Sequence, residues 1–289
     1  MKMKFLLLIM TLATAFTGCA GASGTSNSNS AESETVIEQN TEESTDSQSE
    51  DVSVSESDAQ EAFYKSLYNT KTDTFPQLSE PEKGETIATI HTNKGDIKVR
   101  FFPEEAPKAV ENFVTHAKEG YYNGLTFHRV INEFMIQGGD PVGDGTGGES
   151  IWGEPFEVEP SLALKHFRGA LCMAKSSLPV SIGSQFYIVQ NDGLDEQSKQ
   201  ALESYKQQGD EVVYTGKDFE LKVKDIYPEA VIDEYLKNGG TPSLDIQYTV
   251  FGQVYEGLDV VDTIAKVETD DNDKPKEDVI IESVEVGEY

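Results

Sequence analysis

The sequence predicts a mainly β protein: a closed or nearly closed antiparallel barrel with two helices and one helical insertion. Three features of its 289 residues carry that prediction. About eight short runs have the apolar alternation and length of strands, and turns or glycine-rich loops separate them. Two other stretches repeat their apolar residues at helical spacing. Between two of the strand-like runs, residues 195–240 switch to acidic, helix-like sequence.

The chain opens on a leader. MKMK is a positively charged start, and FLLLIMTLATAF is an apolar run of about a dozen residues, the dimensions of a secretory signal. A membrane-spanning helix needs ~20. The run ends in Thr17-Gly18-Cys19-Ala20, small residues around a cysteine, which resembles the bacterial lipobox. Phe16 departs from that pattern, in which leucine is commoner. The expectation is a signal peptide over 1–18 and lipidation of Cys19. Residues 19–83 then read as an acidic Ser/Thr/Glu-rich linker, with no aromatic between Phe16 and Phe63 and no Lys or Arg between Lys4 and Lys65. Such a segment cannot bury enough apolar surface to offset its ordering entropy, and its like charges extend it. A short helix is expected at 59–70, through Ala62, Phe63 and Leu67. The formal net charge of -29 argues against nucleic acid as a partner and against direct adhesion to anionic lipid. Attachment to a membrane would therefore run through the lipid on Cys19. That places the chain in the cell envelope, on the outer face of the bacterial cell membrane, or at the outer membrane in a Gram-negative cell.

From Gly84 to Tyr289 the sequence reads as one domain, long enough to be stable through its core alone. TIATIHT and DIKVRFF, on either side of Asn93-Lys94-Gly95, predict a β-hairpin. In APKAVENFVTHAKEG, Val110, Phe113, Val114 and Ala117 form one apolar stripe, with Pro107 in the first turn and Gly120 past the last. His116 falls on the polar side of that helix. LTFHRVI, FMIQGG, GALCMAK, SQFYIVQ and YTVFGQV follow as short strands. LDVVDTIAKV sets Val260, Val261, Ile264 and Ala265 on one helical face, and DVIIESVEV is a closing strand. Inside the 195–240 insertion, DEQSKQALESYKQQ and PEAVIDEYLKN are helix-like; Gly239-Gly240 ends the second.

Several chemistries lack their residues. Gly143 to Gly148 satisfies G-x-G-x-x-G, but ESIWGEPF follows where a dinucleotide site needs a helix. The histidines, His91, His116, His128 and His166, are scattered singly, without zinc spacing. Ser184 lies in Gly183-Ser184-Gln185, which lacks the hydrolase elbow. Cys172, within GALCMAKS, reads as a buried small hydrophobe. No cofactor and no metal are expected.

FHRVINEFMIQGGD, residues 127–140, holds Arg129 and Gln137 among aromatic and apolar residues. With GDGTGGESIWGEPF, GALCMAK, GSQFYIV and TVFGQV in the same order, it resembles the cyclophilins, which are peptidyl-prolyl cis-trans isomerases. The resemblance runs from about Thr86 to Val286, broken by the insertion. It implies an eight-stranded antiparallel barrel with a helix over each end and a groove on its outer face. It implies that Arg129 donates to the prolyl nitrogen, that Gln137 holds the substrate backbone, and that Phe134 and Met135 wall a proline pocket. By the same resemblance, Gly145, Ala174, Lys175, Gln185, Tyr187, Leu244 and Tyr248 bind substrate, and the partners are proline-containing polypeptides.

Four positions depart from the family pattern. Tyr187 stands where phenylalanine is usual and Lys175 where asparagine is usual. Ser243 replaces a tryptophan, which implies weak cyclosporin binding, and Tyr248 replaces a histidine. Two functions follow as alternatives. One is an isomerase that accelerates folding of exported proteins. The other is a binding module for proline-containing segments that turns over poorly. The insertion reads as a solvated elaboration or as a docking element for a partner.

Overall fold

The structure is a computed structural model and describes residues 56–178 and 180–289. The expected leader over 1–18, Cys19 and the linker as far as residue 55 lie outside the described residues. The compact body runs from Glu61 to Tyr289. The first helix, α1, spans Glu56–Asn69. Within the body it buries Tyr64 and Leu67, and Tyr64 stacks on Tyr214 at 4.2 Å. Packed structure thus begins upstream of Gly84.

β1 (Thr86–Thr92) and β2 (Gly95–Phe101) form the expected hairpin, with Ile90 opposite Ile97. Period-two geometry sends Ala88, Ile90, Ile97, Val99 and Phe101 to the buried face. Helix α2 (Pro107–Lys118) starts on proline, and Glu159 accepts from the amides of Lys108 and Ala109 at 3.0 and 2.9 Å. A carboxylate there satisfies donors that a helix start leaves unpaired. His116, expected on the polar side, is buried, because it packs on Tyr121 with ring centroids 4.2 Å apart.

β3 (Arg129–Ile131), β4 (Met135–Gly138), β6 (Ala170–Met173), β8 (Phe186–Val189), β11 (Val250–Glu256) and β12 (Ile281–Glu288) complete an eight-stranded antiparallel sheet. Its order is β12-β1-β2-β11-β6-β8-β4-β3. β5 (Phe156–Glu157) and β7 (Val180–Ile182) form a separate pair. Helix α2 lies on β11 and β12, and α6 (Leu258–Ala265) on β2, β3 and β4.

The expected closed barrel needs correction: the sheet curls into a half-barrel whose edge strands, β3 and β12, do not pair as a ladder. β3 is only three residues long, and the irregular segment before it faces the start of β12. The seam is crossed by one isolated bridge, Thr126 to Ile280. Beside it, Phe127 N donates to Val279 O at 2.9 Å and Ile281 N to Leu125 O at 2.8 Å.

The insertion contains the two expected helices, α3 (Glu196–Gln207) and α5 (Glu229–Asn238). It also contains a hairpin, β9 (Val212–Thr215) with β10 (Glu220–Lys222), and a short helix α4 (Val223–Ile226), which the sequence reading did not foresee. Apolar side chains form two clusters relevant to function. One fills the inside of the sheet. The other, including Met135, Cys172, Tyr187 and Val250, lies on the outer face.

Candidate active site

Alternate residues of a strand point to opposite faces. In β3, β4, β8 and β6, the side chains of Val130, Ile136, Ile188 and Leu171 enter the inner core. Their neighbours face outward, and the register aligns them. Arg129 stands opposite Gln137, Gln137 opposite Tyr187, and Tyr187 opposite Cys172, a lateral row across four strands. The β3–β4 turn reverses at Glu133, which has φ 62° and donates its N–H to Gln190 Oε1 at 2.8 Å. That turn brings Phe134 back over the outer face.

Above the row is a pocket of about 130 Å³. Nine of the eleven residues expected to act on substrate line it. Met135 and Tyr187, 2% and 5% exposed, make its floor. Phe134, Ala174, Leu244 and Tyr248 are partly buried walls. Arg129, Gln137 and Lys175 supply its polar groups. The remaining two expected residues, Gly145 and Gln185, line an adjoining pocket of about 250 Å³, which shares Gln137, Ala174 and Lys175 with the first.

Two networks orient the polar groups. Gln137 Nε2 donates to Gln185 Oε1 at 2.9 Å, and Gln185 Nε2 donates to the carbonyls of Gly145 and Gly147 at 3.0 and 2.7 Å. The glycine-rich loop is thereby tied to the pocket, and from its other side the buried Asp140 carboxylate accepts from Val142, Asp144 and Gly145 N–H groups. A Cβ on Gly148 (φ 101°) would lie 2.3 Å from Ser184 Oγ, so this glycine serves close packing. The Arg129 guanidinium has Asp273 as its partner, Nε to Oδ2 at 3.5 Å, while Asp273 O accepts from Val130 N at 2.8 Å. Sequence reading missed Asp273, because nothing local marks a loop residue as the neighbour of a strand far earlier in the chain.

The departures from the family pattern have definite surroundings. The Tyr187 hydroxyl points away from the pocket and lies 3.1 Å from His166 Nε2. Burial pushes its pKa well above the ordinary value, so the group stays protonated and the pocket meets an aromatic ring. Cys172 beneath it is likewise held as a thiol by burial. His166 Nδ1 lies 2.9 Å from Asp245 Oδ1, a pairing the sequence reading did not make, although Asp245 adjoins the expected Leu244. Lys175 Nζ sits 4.9 Å from the Tyr248 ring centroid, a cation–π distance. Ser184 donates its hydroxyl to Gly139 O at 2.7 Å and is fully buried, which removes it as a nucleophile. The arrangement can hold a small apolar ring beside one guanidinium and one amide.

Known proteins resemble this chain in sequence and fold. The family described as "Cyclophilin type peptidyl-prolyl cis-trans isomerase/CLD" matches residues 87–286. A Staphylococcus saprophyticus protein assigned by name to the peptidyl-prolyl cis-trans isomerases is 46% identical over 215 residues, 74% of this chain and 98% of that protein. A Staphylococcus aureus (strain USA300) protein of the same name is 47% identical over the same length and shares. Among solved structures, a Cryptosporidium parvum cyclophilin type peptidyl-prolyl cis-trans isomerase superposes with TM-score 0.52 at 29% identity, covering 71% of this chain and 98% of its own. A second structure of that isomerase, in the presence of the dipeptide Ala-Pro, gives TM-score 0.50 at 30% identity, covering 68% and 96%.

Proposed function

The chain belongs to the cyclophilin-type peptidyl-prolyl cis-trans isomerases, and from that premise we propose that it rotates X-Pro bonds of exported polypeptides through the Arg129 pocket. Peptide-bond rotation faces a barrier of ~18–20 kcal/mol from amide resonance. X-Pro bonds populate both isomers and exchange over tens to hundreds of seconds, slowly enough to limit folding. No bond is broken, so no nucleophile or metal is needed. The protein has only to bind the twisted amide better than either planar form.

Each polar group has a task in this reading. Arg129 donates to the prolyl nitrogen as resonance is lost and its lone pair becomes available. Gln137, oriented by Gln185, holds the substrate backbone. The prolyl ring enters over Met135 between Phe134 and Leu244. The solved relative with Ala-Pro present supports a proline-containing ligand here. In the same reading, residues 1–18 direct export, lipid on Cys19 anchors the chain at the outer face of a bacterial membrane, and residues 20–55 act as a spacer.

The observation that carries the reading is the lateral row Arg129–Gln137–Tyr187 above an apolar floor. The Tyr187 hydroxyl, turned away from the pocket toward His166, leaves that floor apolar, as a prolyl ring requires. The test is isomerisation of a proline tetrapeptide by the full chain and by Arg129→Ala. Loss of one preorganised donor should lower kcat by about 10²–10³. Equal rates would remove Arg129 from the mechanism, and an inactive but peptide-binding wild type would establish the binding module.

A further inference from the structure

The isomerase reading leaves the insertion without a task, and the buried groups behind the pocket floor give it one. Tyr187, His166, Asp245 and Tyr235 form a continuous polar chain. Tyr187 OH meets His166 Nε2 at 3.1 Å, and His166 Nδ1 meets Asp245 Oδ1 at 2.9 Å. The Tyr235 hydroxyl lies 2.9 and 2.8 Å from the two carboxylate oxygens. His166 N also donates to Asp245 Oδ1, at 2.8 Å. The four residues are 5%, 1%, 2% and 0% exposed, so water does not substitute for these contacts.

Tyr235 belongs to α5, inside the insertion. A second tyrosine from the insertion, Tyr227, donates to Pro242 O at 2.9 Å. The return leg of the insertion is fastened to the same place: Thr241 N donates to His166 O at 2.8 Å and Gly240 N to Asn191 O at 2.9 Å. Directly after this fastening come Leu244 and Tyr248, two walls of the pocket.

A carboxylate shut away from water draws its stabilisation from the donors around it. Take the Tyr235 hydroxyl away and Asp245 must turn or admit water. Either response moves Leu244, on the adjacent residue, and releases His166, whose far nitrogen positions the Tyr187 ring. Partners one step removed orient contacting groups in this way at metal sites, and the same mechanics apply to a hydrogen-bonded imidazole here.

We propose that Tyr235 and Tyr227 are positioning residues of the pocket, through which the insertion sets the placement of Leu244, Tyr248 and Tyr187 around the prolyl ring. This rests on the isomerase reading of that pocket. A merely solvated elaboration has no need of two tyrosine hydroxyls directed at the 242–245 turn.

The test is a double-mutant cycle in the full chain with Tyr187→Phe and Tyr235→Phe. KM and kcat are read for a proline tetrapeptide, and Kd for the same peptide by NMR titration. Each single variant should raise KM about three- to tenfold with a smaller change in kcat. The double variant should be no worse than the poorer single, because both cut the same chain. Tyr214→Phe, in the insertion but stacked on Tyr64 away from the pocket, should match wild type. A Tyr235→Phe protein with wild-type KM and Kd overturns the proposal, as do effects that multiply independently. Should Tyr235→Phe fail to fold, Tyr227→Phe is read on its own: it loosens the same turn through Pro242 O, so it should raise KM and Kd, and wild-type values of both overturn the proposal. If wild type binds the peptide without turnover, the isomerase reading fails and the Kd cycle alone decides this proposal. A wild type that neither turns over nor binds the peptide overturns both.

Discussion

Arg129 is half-exposed on the outer face of the sheet, and its orientation depends on Asp273. The carboxylate is well placed to steer the guanidinium, because Asp273 is itself tied to β3 through Val130 N. It also competes with substrate for the same charge. Exposed pairs contribute ~0–1 kcal/mol, so the effect of breaking one is modest. Asp273→Asn should lower kcat by no more than about fivefold while leaving the thermal midpoint unchanged. Stopped isomerisation at the level of Arg129→Ala would mean that Asp273 is part of the reacting set, and faster turnover would mean that it restrains the arginine. Residue identities at this site were readable where they sit in one contiguous stretch. Arg129, Phe134, Met135 and Gln137 lie within nine positions of each other, and the family resemblance names them together. Asp273 and His166 were not readable, because their roles depend on contacts that only the closed tertiary structure creates.

The glycine-rich loop 142–148 is the element on which the site's shape depends. Its backbone donors turn inward to Asp140 and two of its carbonyls accept from Gln185, so the loop is clamped from both sides. Gln185→Ala removes the outer clamp and releases Gln137 as well. The expected outcome is a KM raised about tenfold, with faster amide exchange confined to 143–148 and an unchanged core. Uniformly faster exchange would instead mark Gln185 as a global stability residue. Element reading from sequence succeeded where periodicity was long, as in β1, β2, α2 and the two helices of the insertion. It failed where pairing is short or external. The β9–β10 hairpin offers only three or four residues per strand, too few for a period. α1 was readable as a helix, but its packing against Tyr214 and Phe219 of the insertion is a tertiary fact. Closure of the barrel depended on whether the segment before β3 is extended, and glycine and turn residues from Gly120 to Gly124 leave it irregular.

For the molecule as a whole, buried histidines set the response to acid. Burial pushes the pKa of His128 below its ordinary 6.5; Asp140 opposes the shift, and Lys274 and Arg129 add to it. Neither ring nitrogen of His128 has a hydrogen-bond partner among the described residues. Burial also lowers His116, against its contact with the Glu149 carbonyl. For both, the folded pKa lies below the unfolded one, so between the two values the unfolded chain binds the extra proton. Stability is then complete above pH 6.5 and falls as pH drops through that value toward the depressed folded pKa. His91 works the other way. Its hydrogen bond with Asp96 raises its pKa, so its contribution is present below 6.5 and lost as pH rises, but the pair is exposed to solvent and screened. Asp140 acts at lower pH. Burial raises its carboxyl, but four backbone N–H groups outweigh that and hold it below 3.8, so its contribution is lost only under stronger acid. The urea midpoint should therefore decline as pH drops through about 6.5, with the two buried rings contributing. His128→Gln should flatten that decline whatever it does to stability at neutral pH, because it removes one of the protons taken up on unfolding. High salt should leave the decline in place, since buried groups are poorly screened. An undiminished slope in His128→Gln would exclude His128 and assign the acid response to His116 and to the fully buried Lys165, whose pKa burial also lowers.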